Sequence, residues 1–424
     1  MKKNIAIICY DMIPYSTGWG ASQRVYYYAS LLSKQHNVYV ISAKRNNSEN
    51  FYNHEITFHQ KFYPVSSKVQ NSNSLNSQKT NFLSKIRKFL GKLLREFDSL
   101  INNDPNKGLG IHSMKWILIH KKEILNYIKE NKINDIIISV PPFGLLLPSF
   151  FKEVKNVIKG RIIIDYRDPW NCWNERKGIS FLREKAILSL CDHIIVTNEN
   201  HQYKIISDFN IDKSKIITVS NGFDNDLWLS IKEKTTNCDK LVISFIGYIA
   251  LNKKGYRDIS VFLKALDQCP FKNSIILRIV GVNGDSDRIN KTYNVNIPFI
   301  ELIPTVSQVE SFKYMVESDI LLSLHTATDC SSTYLIAGKI FDYYRSGTKI
   351  LSINSEKSLE HKFIRNNNIG YCTQNNESDI IKTLSDIYNC WCENEKVMSK
   401  NNSLSIEYSR NRQNEKILNL INTI

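Results

Sequence analysis

Residues 161–170, RIIIDYRDPW, carry an apolar run into Asp165, Arg167 and Asp168, followed by Pro169 and Trp170. A strand buried on both faces has no use for three charges at its end unless they meet a partner there. The bland reading is a local ion-pair cap. The functional one is a charged cluster at the carboxyl edge of a sheet, placed to meet a ligand there, with a guanidinium that stays cationic. Val140-Pro-Pro-Phe-Gly144 follows another apolar run, which puts Pro142 and Phe143 at the same sheet edge.

Three other stretches suit anion chemistry. The turn YDMIPYSTGWGASQR places Gly18 and Gly20 just ahead of a helical pattern, where free backbone N–H groups can approach an anion. It lacks the G-x-G-x-x-G spacing, and no acid closes a second strand about 20 residues on, which disfavours a nicotinamide or flavin enzyme. An apolar run at 241–246 leads to Gly247 and, seven residues later, Lys254, a point charge suited to phosphate. Finally, Gly338-Lys-Ile-Phe-Asp342 opens a helix that closes at Gly347, after the small polar loop HTATDCSSTYLIA with Ser331, Ser332 and Thr333. Lys339 and Asp342, one turn apart, are either a solvated i, i+3 pair or two ligand contacts.

The elements that must position these residues follow from periodicity. KNIAIIC (Lys3–Cys9) shows no alternation, as expected of a strand covered on both faces of a parallel sheet. A helical pattern over Gln23–Lys34 and a second strand, Val38–Ser42, complete a βαβ unit. Further strands are expected at Ile136–Val140, Ile162–Asp165, Ile194–Thr197 and Ile216–Val219, and after a polar stretch at Leu241–Ile246, Ile275–Val280, Phe299–Leu302, Ile320–Leu324 and Thr348–Ile353. The expected fold is α/β: two doubly wound, Rossmann-like domains joined near residues 225–240 and facing a cleft.

At 424 residues the chain is too long for one core. Nine cysteines without a CxxC suit reduced, buried thiols. The apolar run Ile5–Cys9 is too short for a signal peptide, and no stretch is long enough for a membrane span. The net charge is +15, and residues 61–132 alone hold 14 Lys/Arg against 5 Asp/Glu. Within them, the low-complexity stretch 66–81 leads into NFLSKIRKFLGKLLREF (82–97), where apolar and basic residues segregate at helical spacing. That segment either packs on its own domain or lies on an anionic membrane surface. The charge lacks regular aromatic interleaving and no nucleic-acid motif is present, so nucleic acid is not an expected partner.

In combination, TGWGASQRVYYYASLLSKQHNVYVIS, SVPPFG, IIIDYRDPW, CDHIIVTNEN, KIITVSNGFD, FIGYIALNKKG and GKIFDYYRSGTKIL resemble, in order and spacing, the GT-B glycosyltransferases, and among them the retaining family 4 enzymes of bacterial polysaccharide assembly. The resemblance implies an acceptor domain over residues 1–228 with a basic amphipathic insertion at about 66–110, a donor domain over 238–402, and a helix at 403–424 returning to the first domain. It implies sugar transfer from a nucleotide diphosphate donor, a UDP-sugar, to a glycan or polyprenyl-linked acceptor, without cofactor or metal; the reduced thiols suit a cytoplasmic protein, and the basic segment 82–97 a peripheral place at the inner membrane face.

By the same resemblance Lys254 matches the family's pyrophosphate lysine, while Tyr248 stands where an arginine is usual. Asp342 matches the ribose-binding glutamate, and Tyr334 replaces a second one. Arg167 stands at a histidine position. Catalytic roles then fall to Arg167, Asp168 and Lys254. Donor contacts fall to Gly18, Gly20, Gly247, Ser331, Ser332, Thr333, Lys339 and Asp342, and acceptor-side contacts to Asp165, Trp170, Pro142 and Phe143. Alternatives are a GT-B nucleotide-sugar epimerase, a non-catalytic GT-B partner, and a basic binding module.

Overall fold

The computed structural model describes residues 2–15, 19–44, 55–65, 110–171, 178–231, 239–247, 249, 257–284, 286–326, 330–393 and 406–423. Gly18, Tyr248, Lys254 and the amphipathic segment 82–97 lie outside the described residues. The chain divides into two units, Met1–Ser220 with Asn414–Ile424, and Asn221–Gln413.

In the first unit β1 (Asn4–Ile8) is followed by α1 (Trp19–Ser33), β2 (Asn37–Lys44) and β3 (His59–Pro64). Then come α2 (Ile111–Glu130), β4 (Asp135–Val140), α3 (Pro148–Val157), β5 (Ile162–Tyr166), α4 (Ile179–Leu188), β6 (His193–Val196), α5 (Glu199–Phe209) and β7 (Ile216–Thr218). The seven strands pair in parallel in the order β3-β2-β1-β4-β5-β6-β7. The continuous isoleucine runs of β1, β4 and β5 are what such a sheet needs, because both faces are covered. Ala6, Ile8, Ile136, Ile138, Ile162 and Ile164 meet α2–α5 on one face. On the other, Ile5, Ile7, Ile137, Ile163 and Ile195 meet α1 and the last helix.

The second unit begins with α6 (Asn225–Leu229), β8 (Leu241–Ile246), α7 (Ser260–Gln268), β9 (Ile275–Val280), α8 (Ser286–Tyr293), β10 (Ile300–Ile303) and α9 (Gln308–Glu317). It continues through β11 (Ile320–Leu324), α10 (Lys339–Ser346), β12 (Lys349–Ile353), α11 (Leu359–Asn367), β13 (Gly370–Thr373) and α12 (Glu377–Cys392). Its six strands are also parallel, in the order β10-β9-β8-β11-β12-β13. The final helix, α13 (Arg410–Asn422), starts in this unit and gives Ile417, Leu418 and Ile421 to the core of the first.

The two α/β sheets are those the periodicity predicts, with two additional edge strands. HQKFYP (β3) is half polar and ends in proline, and GYCT (β13) is four residues behind an asparagine turn. Edge strands are half exposed and need no apolar run, so neither stands out in the sequence.

Candidate functional site

In a doubly wound sheet, ligands collect at the carboxyl ends of the strands where the strand order reverses. That point lies between β1 and β4 in the first unit and between β8 and β11 in the second.

Beside the first switch point, β4 and β5 end in register, with Ser139 opposite Asp165 and Val140 opposite Tyr166. Asp165 is fully buried; its carboxylate accepts from Arg24 Nε at 3.0 Å and from Ser139 Oγ at 2.9 Å. The cation that holds this strand-end acid therefore comes from α1, 141 residues away. Arg24 Nη1 donates to the Ser220 carbonyl at 3.3 Å, while its buried Nη2 has no hydrogen-bond partner among the described residues. Gly20 lies in the first turn of the same helix.

Arg167 is half-buried; its backbone N–H donates to Val140 O at 2.7 Å and its guanidinium to Pro141 O. Asp168 and Pro142 are also half-buried. Trp170 is 1 % exposed: Phe143 stacks on one face at 5.0 Å and the Arg183 guanidinium lies 4.6 Å from the ring centre. Here the indole fixes Phe143, which is itself buried, rather than offering an open wall. Gly144 is required because a Cβ would strike Gly110 O at 2.0 Å, where α2 begins against this loop. At the end of β1, burial pushes the Cys9 thiol up to about 12, which removes it as a nucleophile.

Under the DYRDPW turn is a buried polar network. Asn171 Nδ2 donates to Glu184 Oε2 at 2.7 Å, and Ser180 Oγ donates to Asn171 Oδ1 at 2.7 Å. Burial pushes the Glu184 carboxyl up to about 7, against the pull of hydrogen bonds from Asn171 and Tyr166. His201 stands edge-on to Tyr166 at 5.4 Å, with no hydrogen-bond partner for either ring nitrogen among the described residues. Burial pulls its ring down to about 3.

In the second unit, β8 runs out into Gly247 (φ 131°), whose N–H donates to Val280 O at 2.8 Å. A Cβ on neighbouring Gly281 would meet Gly247 O at 2.9 Å, so the two strand ends approach backbone to backbone. At the end of β11, His325 Nε2 lies 3.1 Å from Ser331 Oγ. Ser331 and Ser332 are buried in a 3-10 turn with Thr333, and Thr326 Oγ1 accepts from Asp258 N at 3.0 Å, just ahead of α7.

Gly338 caps α10, and the helix closes at Gly347 in the left-handed conformation (φ 74°). The Lys339 stem reaches the surface, but its ammonium is buried, 3.8 Å from the centre of the Phe245 ring and 5.4 Å from that of Tyr343. It has no hydrogen-bond partner among the described residues. Burial pushes its pKa well below the ordinary lysine range; Arg257 adds to this and Glu360 opposes it.

Asp342, one turn on, is buried, and Trp228 Nε1 donates to its Oδ1 at 3.4 Å. Burial pushes its carboxyl up to about 6, Arg410 and the Trp228 indole pull it down, and Asp224 pushes it up. Lys339 and Asp342 therefore do not make the i, i+3 pair. Tyr343, the residue after Asp342, anchors α10: its hydroxyl accepts from Ile246 N at 3.1 Å.

No family model matches the sequence. No curated protein sequence matches it either. Solved structures do. The chain is similar to Anabaena HepE in complex with UDP (TM-score 0.62, 11% identity, all of both chains covered). It is similar to a glycosyltransferase from Rickettsia africae (TM-score 0.60, 12% identity, 99% of this chain and 97% of that one). It is also similar to a putative UDP-N-acetylglucosamine 2-epimerase from Listeria monocytogenes (TM-score 0.59, 9% identity, 99% and 96%).

The fold is GT-B.

Within its GT-B units, the structure gathers Gly247, Ser331, Ser332, Thr333, Lys339 and Asp342 about the β8/β11 end of the second sheet. It gathers Asp165, Arg167, Asp168, Trp170, Pro142 and Phe143 about the β4/β5 end of the first. Sequence reasoning passes over Arg24, Trp228, His325 and Glu184. His325 was findable, since it directly follows a strand. Arg24 stands four residues after Gly20, a helical turn behind the glycine loop. Trp228 reaches Asp342 across 114 residues, and nothing local marks it. Among the described residues no group of three or more His, Cys, Asp or Glu side chains is placed to hold a metal ion.

Proposed function

We propose that this protein is a glycosyltransferase that moves a sugar from a nucleotide diphosphate donor of the UDP-sugar class to a glycan or polyprenyl-linked acceptor. One observation carries the reading. A buried, unpaired lysine ammonium opens a helix at the carboxyl edge of a parallel sheet, and an aspartate follows one turn later. The ammonium and the N-terminal end of α10 favour a diphosphate, and the carboxylate accepts hydrogen bonds from ribose hydroxyls. Lys339 also answers the loss of charge that Tyr248 represents relative to the family pattern.

In this reading the second unit holds the donor and the first presents the acceptor through the loops after β4 and β5. Glycosidic cleavage builds charge on the departing diphosphate, and Lys339, with Lys254, offsets it as it develops. The resemblance to family 4 supports retention, with attack on the face the leaving group departs from and a phosphate oxygen taking the acceptor proton. It also supports a role in bacterial surface polysaccharide synthesis, on the cytoplasmic side of the membrane, without an obligatory metal.

Calorimetric titration with UDP, GDP and CDP tests the donor site. UDP should bind, and Lys339→Ala should weaken it by about 10- to 100-fold, the range for losing a charge-assisted contact. Indifference to every nucleotide would sink the reading. The likeness to the Listeria epimerase supports a second reading, epimerisation of a nucleotide sugar. Incubation with UDP-N-acetylglucosamine and no acceptor separates the two: an epimerase alters the sugar, whereas a transferase leaves it unchanged.

A further inference from the structure

The described residues include nine exposed large hydrophobic side chains, and four of them sit on two helices of one layer. Leu118 (53 % exposed) and Ile119 (39 %) are on α2, and Ile179 (56 %) and Leu182 (63 %) on α4. Helix α3 packs between α2 and α4, and all three bury their inner sides in the same core. The outer side of α3 carries exposed Lys152 and Lys155. The layer thus presents two aliphatic pairs separated by a lysine ridge. Lys115 and Lys122 on α2 and Lys185 on α4 are exposed beside them. The three helices hold eight Lys/Arg against four acids, of which Glu184 is buried and Glu153 is bound to Lys121 at 2.6 Å.

We infer that the outer face of α2–α4 docks on an anionic lipid bilayer. Leucine and isoleucine side chains this exposed gain by entering the boundary between headgroups and acyl chains, while lysines on long stems reach the anionic headgroups around them. Each lysine near such a surface contributes on the order of 1 kcal/mol. A protein partner is less well matched, since the exposed side of this layer offers aliphatics and lysines, not the aromatic and arginine anchors of protein interfaces. The inference uses none of the donor-side residues, so it stands whether or not the transfer reading does. Nor does it rest on the amphipathic segment 82–97.

Flotation of the full chain with lipid vesicles tests it. Wild type should float with vesicles in which phosphatidylglycerol replaces a third of the phosphatidylcholine, and not with phosphatidylcholine alone. Lys115→Glu/Lys122→Glu/Lys152→Glu should lower partitioning by roughly 100-fold, at about fivefold per lysine. Leu118→Ser/Leu182→Ser should lower it by about tenfold through lost apolar burial. Lys264→Glu/Lys313→Glu, exposed lysines of the second unit, should change nothing. Residues 82–97 are intact in every variant, so binding through them alone would survive. The inference is overturned if wild type ignores anionic vesicles, binds neutral ones equally, or if either face variant, folded by circular dichroism, floats as wild type does.

Discussion

The indole Nε1 of Trp228 donates to the buried carboxylate of Asp342 at 3.4 Å, and the Trp228 ring stacks on Phe312 at 4.1 Å. Burial raises Asp342 to about 6, and the indole is one of two groups pulling it back. Trp228→Phe keeps the stack and removes the donor. The carboxyl should then stay protonated to higher pH and accept fewer ribose hydrogen bonds. UDP affinity near pH 6 should fall by roughly tenfold, with a smaller loss at pH 8. An unshifted pH profile would separate Trp228 from the site.

Lys339 provides a proton-linkage signature. Its ammonium is disfavoured when no anion is present, and a diphosphate would restore the charge. UDP binding should therefore take up protons, read as a dependence of calorimetric enthalpy on buffer ionisation heat. Lys339→Met should abolish that uptake without lowering the Tm, because it removes a buried ammonium that burial disfavours.

The Arg24–Asp165 pair is buried, with side chains 8 % and 0 % exposed. Removing one partner leaves an uncompensated charge, so Arg24→Met should cost about 3–5 kcal/mol in urea unfolding. Adding Asp165→Leu to Arg24→Met should recover much of that loss. A double variant no better than the single would mean that the charge is not what matters.

Glu184 sets a stability trend with pH. Its folded pKa, about 7, is above the ordinary carboxylate value, so the folded state binds the proton more tightly. Stability is full below the ordinary value and declines as pH rises towards 7. Glu184→Gln should flatten that decline, and its Tm at pH 8 should exceed wild type by about 5 °C.

His201 acts in the opposite direction. Its folded pKa, about 3, is below the ordinary value of 6.5, so stability is lost as pH falls from about 6.5 towards 3. His201→Phe removes two unsatisfied buried nitrogens and keeps the edge contact with Tyr166. It should stabilise the protein by about 1–2 kcal/mol at neutral pH and make acid unfolding less steep.

The sheets were legible because parallel strands are written as short unbroken apolar runs, and Ile136–Val140 and Ile320–Leu324 are too short and too rich in isoleucine and leucine between polar flanks to suggest whole helices. The α10 cap was legible for a similar reason, since Gly338 and Gly347 bracket it. Long-range pairings were not. Nothing near IIIDY says that Arg24 will hold Asp165, nor does anything near Asp342 point to Trp228. Burial also reverses meanings that residue type suggests: Trp170 looks like a binding wall, yet it is 1 % exposed, stacked by Phe143 and overlain by Arg183.

The helix α13 has a consequence for the order in which the molecule can form. Arg161 donates to the carbonyls of Leu420 and Ile421, and Lys3 donates to Ile421 O at 2.8 Å. The second unit is a contiguous stretch, so during synthesis it can close once residue 413 has emerged. The first unit, although made earlier, lacks Ile417, Leu418 and Ile421 until about two hundred residues later. Through that interval the α1 side of its sheet has an open apolar seam, and the part translated first is the last to be sealed.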